Sequence, residues 1–190
     1  MSAISHKKGL CNDSWYKFPG RMETLYKKDV VFLGEFDPVK DIQRGKVLNI
    51  YNPVLSKCID YIIRILDQNR ILFSSNIIYV NNSIPNKLFN SVNMSWVDFR
   101  NQPDLLDRIH YFKVSNVVEV RDIIEKEGQN SIVIIESLDQ IVNWTDIDYN
   151  ELNLITNRVL LSLQKFRFSA LLSNSFNTYI NYFVHKICDI

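Results

Sequence analysis

Five short apolar runs, separated by stretches of helical periodicity, constrain this chain more than any other feature. They fall at 47–51, 76–80, 108–114, 131–136 and 168–173. The runs at 76–80 and 131–136 are apolar almost without interruption. A strand reads this way when both of its faces are covered, as in the middle of a parallel sheet. Between the runs, apolar residues at 55, 59, 62, 63, 65 and 66 predict a helix that starts at Leu55. A second helix is predicted from Val117 to Glu127, opened by the capping pair Ser115-Asn116 and stopped by Gly128. A third is predicted over 151–166. Strands that alternate with helices require crossover connections, so the expected class is α/β, a parallel sheet with helices on both faces.

Composition narrows the function classes. At 190 residues the chain is expected to form one domain, or one domain with an arm. The share of apolar residues, 46%, is that of an ordinary globular core. Only 5 glycines are present, few for an enzyme built on glycine-rich loops. The net charge of +1 gives no global mark of a nucleic-acid binder. Cys11, Cys58 and Cys188 are far apart and form no CxxC pair, which argues against a zinc site and for a reducing, intracellular setting. Cys58 is expected to be a packed thiol. No apolar window is long enough for a membrane span, and the N-terminus lacks the apolar core of a signal peptide. His6, His110 and His185 do not cluster, and no Ser/His/Asp, Cys/His or paired-carboxylate motif stands out.

Residues 1–28 are expected to be an arm and 29–190 the domain. The arm carries Lys7, Lys8, Lys17, Arg21, Lys27 and Lys28 against Asp13 and Glu23, with Trp15, Tyr16 and Phe18 interleaved. Three readings fit: a tail whose aromatics pack on their own domain, a segment that docks on a partner, or a nucleic-acid contact by phosphate pairing and base stacking. Residues 30–36 suit a short strand or turn, and 84–107 an irregular or helical surface segment. The aromatic-rich stretch 179–184 reads as an exposed apolar segment that needs a partner to cover it.

The segment Tyr51–Cys58 lies between a predicted strand and a predicted helix, the context of a phosphate-binding loop. Set against G-x-x-x-x-G-K-[ST], Tyr51 and Ser56 stand where the two glycines belong, Lys57 is kept, and Cys58 replaces the hydroxyl residue. Glycines let successive backbone N–H groups wrap a phosphate with no Cβ in the way. Pro53 removes a further donor. The loop is therefore expected to be degenerate, binding no nucleotide.

The order of these elements resembles the RecA-like core of eukaryotic strand-exchange recombinases and their paralogues, over about residues 44–176. Gly45–Tyr51 looks like the strand that feeds the phosphate loop. Asn76–Val80 looks like the next core strand, and Arg108–Ile124 like the strand and helix before the Walker B strand. Ser131–Asp139 looks like the Walker B strand itself, with Glu136 where the family usually has Asp. Leu171-Leu-Ser-Asn-Ser175 looks like the later strand with a polar tip. Where the family places its catalytic base this chain has Asn81-Asn82, and an amide cannot take a proton. The chain runs on only briefly past the fifth strand, so the resemblance implies a core truncated at its C-terminal end.

A RecA-like domain without ATP chemistry is similar to the recombinase paralogues of the Shu complex. That resemblance implies a nuclear, non-catalytic subunit without a cofactor. It would pair with another paralogue, bind single-stranded or forked DNA, and promote assembly of the recombinase filament. Candidate phosphate contacts are Lys7 and Lys8 in the arm and Lys165 and Arg167 before the fifth strand. Trp144, in the loop after the fourth strand, is expected to cap the core, with stacking on a base or a partner as the alternative. Glu136 is expected to be a hydrogen-bonded end group or a helix cap, with magnesium binding as the alternative. The non-catalytic RecA-like subunits of the Elongator tRNA-modification assembly are the competing resemblance.

Overall fold

A computed structural model describes residues 45–68, 75–82 and 107–190. The arm, with Lys7 and Lys8, lies outside the described residues, as do the segment 30–36 and nearly all of 84–107.

Six strands form one sheet: β1 (Val47–Tyr51), β2 (Ile77–Asn81), β3 (Ile109–Lys113), β4 (Ile132–Glu136), β5 (Phe168–Ser173) and β6 (Lys186–Asp189). Every pairing is parallel, in the order β3-β2-β4-β5-β1-β6. The helices are α1 (Leu55–Gln68), α2 (Val117–Lys126), α3 (Leu138–Asn143), α4 (Tyr149–Leu163) and α5 (Thr178–Phe183). The architecture is α/β and consistent with a RecA-like parallel sheet. β2, β4 and β5 are buried along their whole length, as their continuous apolar character requires.

Alternate residues of each strand build two cores. Leu48, Ile50, Ile77, Tyr79, Ile132, Ile134, Phe168 and Leu172 face α1, which contributes Cys58, Ile59, Ile62, Ile63 and Leu66. Val47, Ile78, Val80, Val133, Ile135 and Leu171 face the other way, onto α2, α3, α4 and α5. Helices therefore cover both faces. Among the described residues, one face carries α1 and the other carries the remaining four.

Asn116 caps α2 as its sequence suggests: its Oδ1 accepts from the Glu119 N–H at 3.0 Å, and Glu119 Oε2 accepts from the Ser115 N–H at 2.7 Å. The stop at Gly128 needs correcting. Gly128 does not have a left-handed backbone; the helix ends at Lys126, and Glu127 leaves in an extended conformation with its N–H on the Ile123 carbonyl. Of the two glycines among the described residues, Gly45 is the one whose conformation matters. It sits at φ +85°, its N–H bonds the Phe166 carbonyl at 3.1 Å, and a Cβ built there would lie 2.8 Å from the Gln164 carbonyl oxygen. Gly45→Ala is expected to destabilise the fold by about 2 kcal/mol or more, from left-handed strain plus that clash. Urea denaturation checks it; a change below about 0.5 kcal/mol contradicts the close approach.

Two elements escaped the sequence reading at the C-terminal end. α5 occupies the stretch read as exposed, and that reading is corrected: Ile180 and Asn181 are buried, and Tyr179, Phe183 and Val184 pack against the core. β6 then adds a sixth strand beside β1. His185 leads into it, with its N–H on the Val47 carbonyl at 2.8 Å and its Nδ1 accepting from the Val47 N–H at 3.1 Å.

Candidate functional site

The loops that leave β1 and β5 depart to opposite faces, because α1 packs on one side of the sheet and α5 on the other. β1 and β5 are neighbours. In open α/β sheets, a crevice for ligands forms between carboxyl ends arranged in this way. The segment Tyr51–Cys58, read from the sequence as a degenerate phosphate loop, stands at this point.

The crevice is filled by the chain itself. Only Asn52, Pro53 and Val54 separate β1 from α1. The Asn52 N–H donates to the Ser173 carbonyl at 3.1 Å. Asn52 Oδ1 accepts from the Val54 N–H at 2.8 Å, and its Nδ2 donates to the Ile190 carbonyl. The Lys57 N–H bonds the Val54 carbonyl at 2.9 Å. Pro53 has no N–H to give. Among the donors that could cradle a phosphate, the N–H groups of Asn52, Val54 and Lys57 are thus spent on β5 and on a tight turn. Cys58 is buried, with its Sγ 3.7 Å from the Ser173 carbonyl. Burial pushes its thiol up to about 11, and the charge of Glu136 adds to the effect. The side chains of Ser56 and Lys57 are exposed, and that of Tyr51 is half-buried.

On the other face of β1, Asn49 completes the seal. It accepts from Ser173 Oγ at 2.7 Å and donates to Asn181 Oδ1 at 2.6 Å, pinning α5 to the sheet. What remains beside it is a hollow of about 10 Å³, lined by Asn49, Asp139, Ser173 and Ser175 among others. That is room for one water; small-molecule sites run to hundreds of Å³.

The carboxylate at the end of β4, which the sequence resemblance set at a Walker B position, is likewise held by internal bonds. Glu136, at the end of β4, is 2% exposed. Its Oε2 accepts from the Tyr79 hydroxyl at 2.7 Å and from Asn81 Nδ2 at 2.6 Å. It is a hydrogen-bonded end group, and Asn81 is one of its donors. Burial, and then the Glu136 charge, push the Tyr79 phenol well above its ordinary value; Tyr111, stacked on Tyr79 at 6.2 Å between ring centroids, is pushed up for the same two reasons. The next residue, Ser137, takes a left-handed conformation at φ 55° and sends its N–H to the Leu172 carbonyl at 2.8 Å. Among the described residues, no three His, Cys, Asp or Glu side chains converge as metal ligands, and no helix is long and apolar enough to cross a membrane.

The same edge of the sheet presents aromatic rings to solvent. Trp144, at the end of α3, is 65% exposed, and Phe176, after β5, is 51% exposed. The expectation that Trp144 caps the core is thus corrected. The core beneath is closed by Leu138 and Ile141, and Thr145 turns inward in its place, accepting from the Val117 N–H at 2.9 Å. Lys165 and Arg167 lie elsewhere. They precede β5, at the amino edge of the sheet, so roughly 20 Å of strand separates them from the phosphate-loop position. Lys165 is exposed, and Arg167 bonds Ser75 Oγ at 3.1 Å. The structure therefore does not gather Lys57, Lys165 and Arg167 into one patch. The sequence offered Trp144 as a stacking residue only as the alternative to a core cap, and the Asn49–Ser173–Asn181 bonds went unrecognised because their members come from separate elements. No protein-family model and no curated protein sequence matches the chain.

Proposed function

We propose that this chain is a non-catalytic RecA-like subunit of a recombinase-paralogue complex of the Shu type. In this reading it forms a heterodimer or larger complex with another paralogue, binds single-stranded or forked DNA, and promotes assembly of the recombinase filament during homologous recombination in the nucleus. The observation that best supports it is the bonding between β1 and β5 at their carboxyl ends: Asn52, Ser173 and Asn49 spend on one another groups that could otherwise meet a ligand. A parallel sheet that keeps this topology while its ligand cleft is closed acts through its surface. The exposed rings of Trp144 and Phe176 at the carboxyl edge offer stacking platforms, which tolerate any base sequence. The acidic residues Asp146 and Asp148 beside Trp144 favour stacking over phosphate pairing there. Phosphate contact falls instead to Lys7 and Lys8 in the arm, because Lys165 and Arg167 stand at the opposite edge of the sheet.

The test is titration of a fluorescent single-stranded oligonucleotide with the complex recovered from cells. Trp144→Ala is expected to weaken binding by about 5- to 100-fold, the range for one lost stacking contact. Charge reversal of Lys7 and Lys8 is expected to weaken it and to flatten its salt dependence. Unchanged affinity in both variants would overturn DNA binding by this chain. The identity of the co-purifying chains separates recombinase paralogues from Elongator subunits.

A further inference from the structure

α4 buries Leu152, Ile155, Val159, Leu160 and Leu163 against the sheet and α2. Its opposite side carries two leucines that the fold does not use: Leu154 is 70% exposed and Leu161 52%. They belong to a regular series. The exposed positions Glu151, Leu154, Arg158, Leu161 and Lys165 recur at alternating steps of three and four residues, the spacing of a continuous seam along one side of a helix. Lys165 lies just past the C-cap Gln164, with its N–H on the Ser162 carbonyl at 3.0 Å. A groove of about 650 Å³ runs beside the seam, between α2 and α4, and Leu154, Arg158, Leu161 and Lys165 all line it.

The order of charges along this seam points to its occupant. It is acidic at its start, basic at its end and apolar at the two positions between, with Arg158 at the midpoint. We propose that two copies of this chain pack through it, α4 against α4, antiparallel about a two-fold axis near Arg158. An isologous interface requires a patch that complements itself. In this arrangement Glu151 of each copy meets Lys165 of the other, and Leu154 meets Leu161. The two guanidinium groups near the axis do not arrive bare, because Arg158 Nε lies 2.6 Å from Glu125 Oε1 in its own chain. A parallel arrangement would set Glu151 on Glu151 and Lys165 on Lys165. The seam is about 21 Å long, shorter than a standard interface needs, so the dimer is expected to be weak, with a dissociation constant on the order of 1–100 μM. It does not depend on the DNA-binding reading.

Analytical ultracentrifugation of the full chain over a concentration series tests this. The weight-average mass should rise from one chain to two. Leu154→Lys with Leu161→Lys should raise the dissociation constant at least tenfold, and these exposed positions should leave the melting temperature unchanged. Glu151→Lys alone and Lys165→Glu alone should each weaken the dimer about five- to tenfold. An equimolar mixture of those two single variants should associate as tightly as the wild type, because both charge pairs are then restored, and so should the double variant. A chain that stays monomeric throughout overturns the proposal. So does a dimer that is indifferent to the leucine changes, or one whose mixed single variants remain as weak as each alone; the last result would mean that Glu151 and Lys165 do not face each other across the axis.

Discussion

Glu136→Ala is expected to lower the unfolding free energy by about 3–5 kcal/mol, the sum of two orphaned buried donors and a small cavity. The Tyr79 hydroxyl and Asn81 Nδ2 both end on Glu136 Oε2, and both residues are almost fully buried. Neither donor can reach water when the carboxylate is removed, so each bears its desolvation cost in full. Glu136→Gln retains an acceptor oxygen and should lose less, about 1–2 kcal/mol. Tyr79→Phe combined with Glu136→Ala should be non-additive by about 1–2 kcal/mol, since the second change removes a partner that is already gone. Urea unfolding with an unchanged m-value measures all three. Strict additivity would mean that the two side chains act independently, and the network described here would not stand.

Alkaline pH should unfold the protein through two side chains held neutral in the core. The folded thiol of Cys58 is pushed from 9.0 up to about 11 by burial, and the phenol of Tyr79 from 10.0 to well above it. In both cases the folded pKa exceeds the unfolded one. The stability tied to each group is complete below its unfolded pKa and is lost as pH rises toward the folded value. The loss begins near pH 9 for Cys58 and near pH 10 for Tyr79. Each group contributes about 1.4 kcal/mol per pH unit within its window, so by about pH 11 the two together cost roughly 3–4 kcal/mol. Cys58→Ala should flatten the stability profile between about pH 9 and 11, and Tyr79→Phe should flatten it above about pH 10. A Cys58→Ala protein that loses stability over pH 9–10 as steeply as the wild type would refute the role of the thiol.

The strands were legible because burial on both faces leaves a local trace. Ile77-Ile-Tyr-Val80 and Ile132-Val-Ile-Ile135 carry it in four consecutive residues, and β1 and β5 nearly so. α1 and α4 were legible through more than three turns of periodicity. α3 and α5 were not, since six residues span less than two turns and show no period. β6 was hidden for a related reason: Lys186-Ile-Cys-Asp189 has a charge at each end, yet Lys186 is buried. In the site, the missing glycines and Pro53 were visible in the sequence. The role of Asn52 was not, because its Nδ2 acceptor is the Ile190 carbonyl, 138 residues away. Trp144 was misjudged because a lone tryptophan in a polar loop carries no sign of whether the core beneath it is already closed.

What the residues settle alone is that five segments are strands, that those strands run parallel, and that the turn after the first lacks the glycines of a phosphate loop. Each of these depends on neighbours in the chain: burial on both faces, crossover helices, and the backbone demands of glycine. What only the folded chain decides is the order of the strands. Placing β5 between β1 and β4 brings Ser173 against the loop it seals, and placing β4 beside β2 sets Tyr79 and Asn81 beside Glu136. Crossovers that skip over intervening strands make that order, and hydrophobic periodicity, which reports only how each segment is buried, holds no record of which strand lies next to which.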